Sequence, residues 1–325
     1  MRRETLALLA VFAVLALVPV LAELTGQTSW TRLVGQALIY GMAAASLNFI
    51  LGYGGMISFG HATFFGIGGY VVGILYFHFD EGTRFLGIIP GTGQMLLTLP
   101  AAILVSGLAA ALVGALSLRT GGVQFIMITL AFAQMFFFLF ISLKTYGGED
   151  GVMVRRTNSL PGLNMRDKAT LYWVILVVAA GYYLFLRQLV RSSFGQIIAG
   201  IRQNERRMTA MGVATYRYKL AAFILSGMGA GLAGALMVNF LRFASPDMLH
   251  WTRSGELMVM VILGGVGTLA GPFVGAAALT IIETLLSRLT EHWMLPVGVL
   301  LLAVVLLSRG GLMALIARMT GGRGK

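Results

Sequence analysis

Seven apolar runs of 18 to 24 residues follow one another along this chain, each as long as a helix must be to cross the hydrocarbon of a bilayer. They lie at Thr5–Ala22, Leu33–Leu51, Ala62–Phe79, Met95–Leu118, Gly122–Leu143, Ala169–Leu186 and Leu220–Leu241. Composition agrees, since 11% of the residues are charged, less than half the share in a soluble domain. A further run, Leu257–Leu286, has 30 residues and would be about 45 Å long as one straight helix. It contains Gly264, Gly265, Gly267, Gly271 and Pro272. The last run, Trp293–Ser308, has 16 residues.

Charge sets the orientation. The loop Arg187–Lys219 holds seven basic residues and one acid, Glu205, so the positive-inside rule makes it cytoplasmic. Counting spans in both directions puts the N-terminus and the basic tail after Ser308 on the same side, and parity makes Leu257–Leu286 enter and leave on the outer side. That run is therefore expected as two short helices or a re-entrant pair. On this scheme the inside segments carry 14 basic and 2 acidic residues and everything else carries 10 of each, so the net charge of +12 reads as membrane topology and not as nucleic-acid binding. The expected fold is an all-α polytopic membrane protein: 8 spans plus a broken or re-entrant helix pair, 8–10 transmembrane helices. It forms a single domain over residues 1–325, with a cytoplasmic loop at 187–219 and a basic tail at 309–325. Arg2-Arg3, an apolar core and Val20-Leu21-Ala22 also fit a cleavable secretory signal, and its removal would leave the remaining topology unchanged.

The cytoplasmic loop has internal order. Ser193 with Gln196 forms a capping box, Gly212 suits the left-handed residue that ends a helix, and Ile197, Ile198, Ile201 and Met208 recur at helical spacing. The pattern predicts one amphipathic helix, either resting at the lipid surface or offering its apolar ridge to a cytoplasmic partner. The stretch from Gly52 to Gly69 is too glycine-rich for an undisturbed helix end, and with Gly264–Pro272 it gives one interrupted segment in each half of the chain. Paired interruptions point to a translocation path, while glycines at four-residue spacing equally permit close helix packing.

Among the few strongly polar residues in or beside the apolar runs are Asn48, His61, Thr129, Gln134, Asn239 and Glu283. Burying such groups in lipid is costly, which makes each a candidate for function, although amides also serve as interhelical hydrogen bonds. His61 falls at a predicted inner boundary, where a solvated or capping role is expected. The remaining histidines have no ligand spacing, so no metal site is expected. Glu149-Asp150, bracketed by glycines, reads as a solvated outer turn. No cysteine is present, which excludes disulfides and thiolate chemistry. No Gly-x-x-x-x-Gly-Lys-Ser/Thr occurs, so the chain hydrolyses no nucleotide by a P-loop.

Four ordered blocks carry a resemblance. Leu47-Asn48 through Gly52-Tyr53-Gly54-Gly55, with Ser58-Phe59-Gly60-His61-Ala62 and Phe65 to Tyr70, resembles the permeases of branched-chain amino acid ABC importers of the Liv type. So do Gly121-Gly122-Val123 with Thr129-Leu130-Ala131-Phe132, Ile201-Arg202 with Asn204-Glu205 and Ala210-Met211-Gly212, and Gly264-Gly265-Val266-Gly267-Thr268 with Gly271-Pro272. The resemblance covers about Asn48 to Leu312, and the Ser58 to His61 block is similar to the M-type subunit. Two departures are the missing proline before Gly311-Leu312 and Thr209-Ala210 in place of two alanines.

The resemblance implies a non-catalytic subunit of the bacterial inner membrane. Its partners would be a second permease of H type, two ATPase subunits that bind ATP and Mg themselves, and a periplasmic substrate-binding protein, so this chain holds no cofactor. The ATPase-coupling segment would be Gly195–Gly212, with Gly195, Ile201, Arg202, Asn204, Glu205 and Gly212 as candidate contacts. The path residues would be Asn48, Ser58, His61, Gly66, Thr129, Gln134, Gly264 and Gly267. Branched-chain or related amino acids are the expected cargo; urea, amides or aromatic acids are alternatives. A secondary transporter would need membrane-embedded acids, and Glu283 alone qualifies on this reading.

Overall fold

The computed structural model describes residues 29–165 and 167–289 continuously, together with 12, 15–24, 26, 292, 295–299 and 311–314. Its helices are α1 (Leu15–Leu24), α2 (Ser29–Asn48), α3 (His61–Asp80), α4 (Met95–Ser117), α5 (Val123–Ser142), α6 (Lys168–Arg191), α7 (Ser193–Gln203), α8 (Glu205–Ala210), α9 (Thr215–Leu241), α10 (Trp251–Gly264) and α11 (Gly271–Leu289). A π-helical segment, Phe49–Tyr53, prolongs α2. Among the described residues six helices are long and apolar enough to cross a membrane: α2 with its extension, α3, α4, α5, α6 and α9. They match the second to seventh apolar runs. Among the described residues the count is thus six and not eight; the first expected span is described mainly from residue 15 on, and the span Trp293–Ser308 and the tail 309–325 lie largely outside the described residues.

The centre is a seam between α3 and α9. Gly68 of α3 lies against the backbone of Gly231, and Gly234 of α9 lies against the Phe65 carbonyl, so close that a Cβ at either glycine would collide with main chain. Small residues permit this approach, which replaces the hydrophobic drive that lipid cannot supply between helices. α4 packs along the same seam, with Gly107 beneath Met228 and Gly114 beneath Phe223, and its Ser106 Oγ donates to the Phe64 carbonyl of α3 at 3.2 Å. α6 begins where the Asp167 carboxylate accepts the N–H groups of Ala169 and Thr170, satisfying two donors that a helix start leaves open.

The long apolar run is broken as expected, but its first helix starts earlier, at Trp251 instead of Leu257. α10 and α11 fold back as a hairpin: Gly275 packs on the Met260 carbonyl and Gly264 on Gly271. The hairpin tip, residues 265–270, points to the same end of the bundle as α7, and Gly311 sits against Gly265 there. At the opposite end two short strands, β1 (Val152–Met153) and β2 (Phe243–Ala244), pair antiparallel. Asn239 Oδ1 accepts the Asn158 N–H at 3.0 Å, and Asn158 Nδ2 donates to Thr98 Oγ1 at 2.9 Å.

This grouping allows a direct test of the orientation that the charges predict. The chain has no cysteine, so single cysteines at Met153 and Met211, 73% and 66% exposed, report on opposite ends; Asn158 is buried and unsuited. In intact spheroplasts an impermeant thiol reagent should label Met153→Cys and spare Met211→Cys until the membrane is permeabilised. The reverse pattern would invert the topology.

Candidate functional site

The two interrupted segments and the loop after α6 meet at one junction. The Asn48 side chain is buried at the last turn of α2, and both ends of its amide hold the hairpin tip. Nδ2 donates to the Thr268 carbonyl at 2.8 Å and Oδ1 accepts the Gly267 N–H at 2.9 Å. Gly267 has φ of 79°, the left-handed region that glycine adopts without steric cost. Thr268 closes the tip from within: its Oγ1 donates to the Gly265 carbonyl at 2.7 Å and accepts the Gly271 N–H at 3.1 Å.

One turn further on, the π-helical segment offers the Gly52 carbonyl to the guanidinium of Arg202 on α7. The stem of that arginine runs over Gly55, where φ is 70° and no side chain obstructs it. Gly52 itself is pressed against the backbone of Gly267. Asn48, Gly267 and Arg202 thus form a single contact chain through Gly52.

The loop after α6 differs in detail from the single helix that its sequence suggested. It contains two helices, broken at Asn204, whose Oδ1 accepts the Arg207 N–H at 3.0 Å and starts α8. The cap of α7 is Ser192, one residue earlier than Ser193, with its Oγ accepting the Gly195 N–H. Ile198 and Ile201 are buried in the core of this chain, so the apolar ridge is not offered to a partner; a ridge beside an apolar bundle gains most by covering it. Glu205 pairs with Lys219 at the start of α9 at 2.6 Å. Gly212, with φ of 85°, lies two residues past the end of α8. The outward face is Gln203, Arg206, Arg207 and Met211. Between α7 and the loops Gly54–Ile57 and Thr120–Gly122 lies an open cleft of about 480 Å³.

The other expected path residues lie outside this junction. His61 is fully buried, not solvated: Nε2 sits 3.0 Å from Ser46 Oγ and 3.2 Å from Ser226 Oγ. The chain from Gly54 to Gly60 turns back into the bundle, so a residue read as a boundary begins α3 at depth. Ser58 Oγ accepts the Gly60 N–H at 3.3 Å, and Gly60 packs on the Thr129 carbonyl. Gly66 is walled by Leu249, and Gln134 is half-buried on α5. Sequence reasoning missed Ser46 and Ser226, because hydroxyls pass unnoticed in apolar runs, and Ser254, which fell in a segment read as a loop. It also missed Arg253 and Glu256, which were assigned to a loop.

A glycine-tipped hairpin clamped by an asparagine, joined to a basic loop, repeats the order of blocks already noted. The family model for the permease component of branched-chain amino acid transport systems matches residues 29–307. The chain belongs to this permease family. Similar proteins include the high-affinity branched-chain amino acid transport system permease protein LivM of Salmonella typhimurium, 25% identical over 85% of this permease and 68% of that protein. The autoinducer 2 import system permease protein LsrC of Klebsiella pneumoniae is 34% identical over 45% of this permease and 44% of its own length. The L-arabinose ABC transporter permease protein AraH of Azospirillum brasilense is 24% identical over 67% and 66% respectively. No solved structure matches the permease.

Proposed function

We propose that this permease is the M-type membrane subunit of a binding-protein-dependent ABC importer in the bacterial inner membrane, carrying branched-chain or related amino acids. It provides half of the path with a second, H-type permease, takes substrate from a periplasmic binding protein and docks one of two ATPase subunits through the outward face of α7 and α8. Eight spans with the hairpin pair and cytoplasmic termini complete this reading. The observation that supports it best is the junction: the basic segment at one end is tied by Arg202, Gly52 and Asn48 to both interrupted segments, so a push on α7 is delivered to the hairpin tip. A second reading, a permease for a sugar-like solute, draws support from the similarity to AraH and LsrC.

The deciding experiment is uptake by the complex reconstituted with its ATPase and H-type partners in proteoliposomes. L-Leucine with its binding protein should enter only when ATP is inside the vesicle compartment that holds the ATPases. Uptake by this chain alone, driven by a proton or sodium gradient, would overturn the assignment.

A further inference from the structure

Arg253 and Glu256 stand on the first turns of α10, their charged ends 2.7 Å apart, and their side chains remain 39% and 37% exposed. They lie within the depth of the bundle. The Ala62 N–H of α3 donates to Ser254 Oγ at 2.8 Å, and the neighbouring His61 reaches Ser46, in the last turn of α2 before its π-helical extension, and Ser226 in the interior of α9. Charges at that depth are expensive and belong where a solute or water meets the protein. In the antiparallel hairpin Gly275 packs on the Met260 carbonyl, so Glu283, eight residues further along α11, comes level with the first turn of α10 that carries the pair. Beside this group Trp251 is 39% exposed, and Phe137 packs edge-on against His250 at 4.8 Å. One cation and two carboxylates therefore stand at one level of the α10–α11 hairpin, half open and with an aromatic flank.

We propose that this face binds the two charged ends of a zwitterionic amino acid in transit, with the carboxylate on Arg253 and the ammonium on Glu283 and Glu256. The guanidinium has five N–H donors in a fork, and its ion pair with Glu256 engages one terminal nitrogen, leaving donors to receive a carboxylate. A zwitterion brings one charge of each sign, so it exchanges ion pair for ion pair and strands no charge at depth. A neutral sugar or a monoanion lacks that exchange. The inference rests on the importer reading and sharpens its substrate class. It predicts weak affinity, because a conducting site must also release.

The test uses the full-length permease alone in detergent, so its failure is distinct from failure of ATPase docking or uptake. Tryptophan fluorescence is followed during titration with L-leucine, L-phenylalanine, leucinamide, 4-methylpentanoate and L-arabinose. The two amino acids should give a saturable change that Trp251→Phe abolishes, while the amide, the acid lacking an ammonium and the sugar should give none. Arg253→Gln and Glu283→Gln should each weaken the response about tenfold or more, as loss of a charge-assisted bond requires. If Arg253→Gln does not fold, Arg253→Lys keeps the charge and loses the fork, and it too must weaken binding. Silence of both amino acids, an equal response to L-arabinose, or unchanged affinity in the folded variants would overturn the proposal.

Discussion

Gly234→Leu should leave no folded permease in the membrane. At this position α9 meets α3 through main chain, and a side chain would have to displace the Phe65 carbonyl, which is itself fixed in the ladder of α3. Overpacking a core costs about 1–3 kcal/mol when neighbouring side chains can rotate away. No rotamer can relieve a clash with a carbonyl, so the cost here lies at or above about 3 kcal/mol, a large part of the stability of any domain. The contact also cannot open locally, because Gly68 against Gly231 holds the same crossing and Ser106 of α4 bonds the Phe64 carbonyl beside it. Gly181→Leu on α6 is the control, since a Cβ there meets nothing within 4 Å. Size-exclusion profiles and melting curves in detergent should show the control close to wild type and the Gly234 variant aggregated or absent. A monodisperse Gly234→Leu protein melting within a few degrees of wild type would remove the glycine seam as the centre of the fold.

The paired reversal Arg206→Glu, Arg207→Glu should abolish co-purification of the ATPase while membrane insertion continues. Both side chains are exposed on α8, so their loss disturbs no packing inside the chain. An interface that expects two cations and meets two anions suffers like-charge repulsion of several kcal/mol, which corresponds to at least about a hundredfold weaker docking. Glu205→Arg alone should act less, because the exposed pair with Lys219 contributes roughly 0–1 kcal/mol. Ile201→Asp tests something different, since Ile201 is buried within this chain and its loss would unseat α7 from below. Pull-down with His-tagged ATPase, scored against the amount of permease in the membrane, separates these cases. Full recovery of ATPase by the double variant would move docking away from α8.

Spans two to seven were readable because hydrocarbon thickness is a length and apolar run length reports it directly. The break near Gly264 was readable for the same reason: 30 apolar residues cannot be one crossing. The start of α10 was not, because a half-helix that begins inside the membrane opens with polar residues, and Trp251 to Glu256 look like any loop. His61 misled for a related reason. Glycines before it suggested a surface, whereas Ser46 and Ser226, distant in sequence, supply the partners that permit its burial. At Asn204 the apolar periodicity from Ile201 to Met208 ran on across a residue whose preference is to start a new helix, so two helices read as one. The Asn48 clamp was half legible: an amide in an apolar run demands partners, but only the fold identifies them as the backbone of Gly267 and Thr268.

The five π-helical residues at the end of α2 act as stored length. A π-turn carries one residue more than the α-turn it replaces. Relaxing it to α geometry would turn everything beyond it by about 100° and advance it by about 1.5 Å. Gly52 lies inside that segment and bears the carbonyl that Arg202 holds. A pull on this arginine therefore acts at the one place in α2 where the helix can give or take up a single residue of winding, like slack released from a spool, without the rest of the span being unpacked.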